Sequence, residues 1–329
     1  MYFLRLYSVS RFILRFFKSQ NGYNGHFIDA YLQPFEQKFG RSIAPSALQK
    51  IKKYYCLGIP ATCASYAAIY GRSLSPAEQE LATLTGIITP LIDDFTDNKT
   101  LSTQALDALT SAPQQYIAHT LEEEIVKTIL CHLLQKVPSP AGFLQALKNT
   151  IQAQHWSQRQ MLPGVSRQEL LAITLEKGAW SHIFFHYIIN EVPTQATTDA
   201  MHLMGGMLQT SNDIFDIYKD YQEGIATYAS TCPNYATFET YYLQHCRQFC
   251  SMARALPYPK KGLEFFITFM ASVMGRGLVA LQMLKQLQKN SGEGPLPLAA
   301  IARKSLICDM KKPANMVKTA WFTYKIVKR

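Results

Sequence analysis

The stretch 75-SPAEQELATLTGIITPLIDDFTD-97 reads as one helix with a marked beginning and a chemically unusual end. Ser75 followed by Glu78 forms a capping box, in which the serine side chain and the glutamate side chain satisfy each other's free backbone N–H groups. Pro76 falls at the first helical position, where its missing N–H costs nothing. Leu81, Leu84, Ile87, Ile88 and Leu91 then recur at helical spacing and form one apolar stripe over 76–97. Pro90 is expected to kink this helix, because its ring clashes with the carbonyl four residues back.

The same signals recur outward along the chain. Ser166-Arg167-Gln168-Glu169 is a second capping box, and its helix is expected to run to about Asn190 with Gly178 inside it. A third helix is expected over 197–222, with Gly224 as its stop, and a fourth over 264–289. Alternating, strand-like segments are hard to find. The fold class is therefore all-α, a single domain over 1–329 with helices packed around a shared interior cavity.

Composition supports a large core: 48% of residues are hydrophobic and 17% charged, which argues against disorder. The net charge of +10 is concentrated at the ends. Residues 1–20 carry Arg5, Arg11, Arg15 and Lys18 with no acid, and residues 301–329 carry eight basic residues against Asp309 alone. The body is close to neutral, so the basic stripe of a nucleic-acid binder is missing. The first segment also carries Phe3, Leu4, Phe12, Ile13, Phe16 and Phe17. It has neither the uninterrupted apolar length of a membrane span nor a secretory cleavage site. Two readings remain for it: a surface helix dipping into anionic lipid, or a helix docked on the domain, with the second slightly favoured. The seven cysteines are odd in number and contain no Cys-x-x-Cys, which points to reduced thiols and a cytoplasmic setting, with peripheral membrane contact as the alternative. His245, Cys246 and Cys250 read as ordinary helix residues rather than a zinc site.

The chemistry is in the acidic positions. Asp93 and Asp97, four apart, share a helix face, and Asp94 lies between them. Like charges at that spacing repel unless a cation intervenes, and oxygen ligands suit magnesium. Asn212, Asp216 and Asp220 repeat the spacing on the third helix, where the apolar Leu203, Met207, Leu208 and Ile214 imply burial. Buried carboxylates need partners. Two such clusters facing each other across a cavity would clamp a diphosphate through several magnesium ions. Solvated acidic ends on a helical scaffold are the plain alternative.

With both motifs in order, the chain resembles the class I isoprenoid synthase superfamily. Asp93-Asp94-Phe95-Thr96-Asp97 matches its Asp-Asp-x-x-Asp motif, and Asn212 to Asp220 resembles its second metal motif. Lys177-Gly178, Gln209, Gly224 and Thr227 resemble the branch of squalene and phytoene synthases and tetraprenyl-β-curcumene-type synthases. The resemblance implies a terpene synthase, a carbon–oxygen lyase that ionises a linear prenyl diphosphate and cyclises the cation. Farnesyl, geranylgeranyl or geranylfarnesyl diphosphate would be the substrate and three magnesium ions the cofactor; a homodimer is one assembly compatible with it. Asp93 and Asp97 would ligate two ions, with Asp94 supporting them or joining them. Asn212, Asp216 and Asp220 would hold the third. Lys219 would bind diphosphate, and Lys177-Gly178 would mark a helix break near the cation. Asp216, in place of the serine or threonine of plant and fungal-type cyclases, favours the squalene-synthase-like branch. The rival enzymes are a head-to-head prenyl synthase and a chain-elongating prenyltransferase.

Positions below the metal motifs would line the substrate. Pro90 and Gly86 lie below Asp93; Gln209 and Gly205 lie below Asn212. Glycine at 86, 178 and 205 serves either close helix packing or room for a chain of at least fifteen carbons. Trp180, Phe184, Phe185 and Tyr187 are read mainly as core, with one or two facing the cation. His155, His182 and His186 read as satisfied polar residues. Arg159, Arg247, Arg254 and Arg276 are candidate diphosphate sensors, each more often a surface or ion-pair residue.

Overall fold

The computed structural model describes residues 2–292 and 294–328. The side chain of Phe3 and the terminal Arg329, both used above, lie outside the described residues. Every regular element among the described residues is helical. The chain divides into two compact units, Tyr7–His155 with Phe184–Pro193, and Met1–Leu6 with Trp156–Ile183 and Thr194–Arg329.

The first of these units is built on α1 (Tyr2–Phe39), α2 (Pro45–Lys50), α3 (Cys56–Ile69), α4 (Pro76–Asp97), α5 (Thr103–Ser111), α6 (Leu121–Lys136) and α7 (Pro140–Ser157). A π-helical turn, Ile51–Tyr55, joins α2 to α3 without a gap. α4 has the expected bounds, and both arms of its capping box are formed. It runs on through Pro90. The proline withholds its hydrogen bond from the carbonyl of Gly86. α3 and α6 pack along α4, burying Leu84, Ile87, Ile88, Ile125 and Ile129. α1 buries Val9, Gln20, Asn24, Ile28 and Leu32 on one face. Gln20 donates to Thr83 at 3.0 Å and Asn24 to the carbonyl of Cys56 at 2.9 Å, so this part of α1 is docked on its own unit.

The second unit holds α8 (Arg167–His186) as far as Ile183, α9 (Gln195–Phe215), α10 (Ile217–Gln222), α11 (Tyr235–Arg254), α12 (Lys260–Ser291), α13 (Arg303–Leu306) and α14 (Pro313–Val327). α8 ends four residues before the expected Asn190. Its last donors fall back to three-residue bonds, such as Tyr187 N to Phe184 O at 3.2 Å. Asn190 N is drawn off to the Glu78 carboxylate. Glu169 also departs from the expected box: Ser166 caps it, but its carboxylate turns to Arg159 and Trp156. α12 packs against α9, α11 and α14. By length and composition it could cross a membrane, yet 72% of its apolar window is buried, as in a core helix. All seven cysteines are free, with Cys246 and Cys250 in the core.

Candidate functional site

The two acidic motifs fall in different units, and each has its own surroundings. In the first, α4 delivers Asp93 and Asp94 half-buried and Asp97 exposed at its C-terminal end. Tyr55 donates to Asp93 Oδ2 at 3.1 Å, Lys50 reaches Asp94 Oδ1 at 3.3 Å, and Gln154 of α7 donates to Asp97 Oδ1 at 2.8 Å. Lys50 and Tyr55 are five apart. A π turn bonds residues five apart, so it brings two such side chains to one side where an α-helix would splay them. Burial, then the negative charge of Asp93, pushes the Tyr55 phenol well above its usual range. It therefore serves Asp93 as a hydrogen-bond donor across the ordinary pH range. Neither Lys50 nor Tyr55 was legible from spacing, because a π turn leaves no periodic signature.

The second motif sits where α9 gives way to α10. The expected continuous helix over 197–222 is interrupted at Asp216, whose ψ of 7° departs from helical geometry. Asn212 is exposed, Asp216 half-buried and Asp220 buried. The adjacent Asp213, which the spacing argument passed over, is also buried. Thr174 Oγ1 donates to Asp213 Oδ2 at 2.7 Å and Gln209 Nε2 to Oδ1 at 2.8 Å. Asp213, Asp216 and Asp220 stand at i, i+3 and i+7, so the buried carboxylate face is theirs. That interval was present in the sequence but masked by the stricter four-residue repeat beginning at Asn212.

Burial raises Asp213 above the usual carboxylate range, against the donors Thr174 and Gln209 and the nearby Lys177 charge. Burial likewise raises Asp216, opposed by Lys219. Asp220 rises furthest, to about 7, through burial and then the charges of Asp213 and Asp216. In all three, burial outweighs the opposing lysine charges. Lys219 is largely exposed, 3.8 Å from Glu223. α10 ends as expected at Gly224 (φ 70°), with Gly224 N bonded to Tyr221 O and Ile225 N to Asp220 O.

Two cations flank this motif through its aromatic residues. Arg276 of α12 lies over Phe215 at 5.4 Å, and Arg303 of α13 over Tyr218 at 5.5 Å. Of the four arginines singled out from sequence, Arg276 alone is beside a motif. Arg159 pairs with Glu169, Arg247 donates to the Lys325 carbonyl, and Arg254 holds Glu264 and the Val327 carbonyl. Arg303 was missed, since nothing in a single basic residue near the chain end marks it.

Three expectations about neighbouring positions change. The break at Gly178 is absent: α8 is continuous through it, because the glycine is used for a helix crossing. A Cβ at Gly178 would lie 2.1 Å from the Gly205 carbonyl oxygen, and one at Gly205 would lie 2.4 Å from the Gly178 carbonyl oxygen. A Cβ at Gly86 would meet Cys56 Sγ at 2.9 Å and its backbone at 3.0 Å. The space at all three glycines is therefore filled by a neighbouring helix, and Gly86 and Gly205 serve packing rather than a substrate wall. Pro90 is buried in α4. Trp180 donates to Glu176 at 2.8 Å and meets His202 edge-on, so it belongs to a polar pair between α8 and α9. Tyr70 and His186 Nε2 share a hydrogen bond of 2.9 Å, but His186 Nδ1 and His155 Nε2 are buried without a partner among the described residues, so these two histidines are not fully satisfied as expected.

The donor chemistry of both motifs, oxygen only, fits a hard divalent cation. Among the described residues no three His, Cys, Asp or Glu side chains form a metal-binding group by themselves. Magnesium typically takes one or two carboxylates and completes its shell with water and phosphate oxygens. Neither a family model nor a curated protein sequence matches the chain.

Proposed function

We propose that this chain is a magnesium-dependent class I terpene synthase, acting on a linear prenyl diphosphate of fifteen to twenty-five carbons. The observation that carries the reading is the second motif. Three neighbouring carboxylates, Asp213, Asp216 and Asp220, gather where α9 gives way to α10, and burial outweighs the lysines beside them, raising Asp220 to about 7. The sequence also carries an Asp-Asp-x-x-Asp motif at the end of another core helix. In this reading Asp93, Asp94 and Asp97, and Asn212, Asp216 and Asp220, would hold magnesium. Bound there, the metal supplies charge neutralisation to the departing diphosphate.

The protein's own groups have definable tasks. Tyr55 fixes the rotamer of Asp93, and Gln154 that of Asp97. Thr174 and Gln209 orient Asp213 behind the second motif. Lys219, Arg276 and Arg303 would receive the diphosphate oxygens, the arginines through planar, bidentate contacts. Asp216 supports a second reading, a head-to-head synthase that joins two prenyl diphosphates. Product analysis with one substrate and then with two separates them.

The test is substitution at each motif. Asp93→Ala and Asp216→Ala are expected to lower magnesium-dependent diphosphate release by about 100-fold or more while helical content is retained. Full release by either variant would exclude the mechanism.

A further inference from the structure

We propose that the outward face of α14 docks on an anionic lipid surface. The inner face of α14 is committed. Phe322, Thr323, Ile326 and Val327 are buried, and Gly275 of α12 gives Thr319 and Thr323 room for close approach. Arg247 and Arg254 of α11 bind the carbonyls of Lys325 and Val327, so the helix is pinned in place. Its other face is exposed among the described residues. Met316 is 60% exposed, Val317 70% and Trp321 54%. Val317 and Trp321 are four apart and form one ridge. Trp321 stacks near Tyr324 with ring centroids 5.6 Å apart.

The charge around that ridge identifies the partner. Lys318 flanks it, the Lys325 ammonium lies 5.5 Å from the Trp321 ring centroid, and the Lys328 ammonium lies 5.9 Å from that of Tyr324. Lys311 and Lys312 stand at its N-terminal end, and Asp309 is the lone acid in residues 301–329. Exposed tryptophan with aliphatic neighbours, ringed by lysine on a rigid helix, suits the boundary between acyl chains and negative headgroups. The start of α1 is tied to the committed end of α14. Arg5 pairs with Glu264 at 2.5 Å, Glu264 accepts from Arg254 at 3.1 Å, and Arg254 donates to the Val327 carbonyl at 2.7 Å. These contacts belong to the pinned side of α14, not to its exposed ridge. An acidic protein partner would match the lysines but leave the apolar ridge unexplained.

The test is co-sedimentation of the full chain with vesicles of phosphatidylcholine alone and of phosphatidylcholine mixed equally with phosphatidylglycerol. Binding is expected to the mixed vesicles and to weaken with added salt. The double variant Lys318→Gln/Lys325→Gln is expected to bind them roughly thirtyfold more weakly. Val317→Ser/Trp321→Ser is expected to lose about tenfold or more, with an unchanged thermal melt because both side chains face outward. No sedimentation, equal binding to neutral vesicles, or unchanged binding by both variants would overturn the proposal. So would ultracentrifugation showing a dimer that Val317→Ser/Trp321→Ser dissolves, since a second copy would then be the occupant.

Discussion

Replacing Gly178 by alanine tests the packing that sets Asp213. The added methyl would sit 2.1 Å from the Gly205 carbonyl oxygen, 2.6 Å from Gln209 Cβ and 2.7 Å from the Gly205 carbonyl carbon. A carbon needs about 3.5 Å from such neighbours. The α8–α9 crossing must therefore open by about 1 Å, and neither side can yield by rotating a side chain, because backbone is in contact on both. Overpacking of this kind costs about 1–3 kcal/mol, occasionally more. Alanine returns about 0.8–1 kcal/mol in helix propensity. The net expectation is a loss of about 1 kcal/mol, and at most about 2, in urea unfolding. Gly25→Ala provides the internal control. Gly25 is also inside a helix, but a Cβ there meets nothing within 4 Å, so it should gain about 0.5–1 kcal/mol. The opened crossing should also lengthen the Thr174 and Gln209 bonds to Asp213. A Gly178→Ala protein stabilised to the same extent as Gly25→Ala would refute the use of glycine here for close approach.

Two further predictions rest on the first acidic motif's unit. Burial favours protonation of Glu78, but Arg72 and the N–H groups of Asn190 and Ser75 outweigh it and hold its pKa down to about 2, against 4.5 for a free glutamate. A depressed carboxylate stabilises the fold fully above the unfolded value and loses that contribution as pH falls toward the folded one. Stability should thus fall by about 3 kcal/mol between pH 4.5 and 2, and Glu78→Gln should remove most of that slope in acid titration. An unchanged acid limb would contradict it. For Tyr55→Phe, loss of the hydroxyl to Asp93 should cost only about 1 kcal/mol of stability. Half-saturating magnesium should nevertheless rise about tenfold or more, as for other groups that orient metal ligands, and an unaltered magnesium titration would remove Tyr55 from the site.

What could be read from the sequence was what is local. The Ser75–Glu78 box, the stripe ending at Asp93 and the Gly224 stop depend on neighbours a few residues away, and each forms as expected. The end of α8 was misjudged because Asn190 is captured by Glu78, a residue 112 positions distant. The burial of Asp213 against Thr174, 39 positions away on α8, is set in three dimensions, which no periodicity reports. Glycine had two readings at 86, 178 and 205 because an apolar stripe does not say whether a helix or a cavity lies opposite. Lys50 and Tyr55 were missed for a similar reason: the π turn that aligns them has no composition of its own.

The most direct test incubates the purified full chain with farnesyl, geranylgeranyl and geranylfarnesyl diphosphates, with magnesium and with excess chelator. Released diphosphate and extracted hydrocarbon are measured together. The account predicts stoichiometric diphosphate and a cyclic terpene from at least one substrate, both abolished by chelator. Diphosphate release that persists in chelator, or no turnover of any of the three with magnesium present, would contradict it.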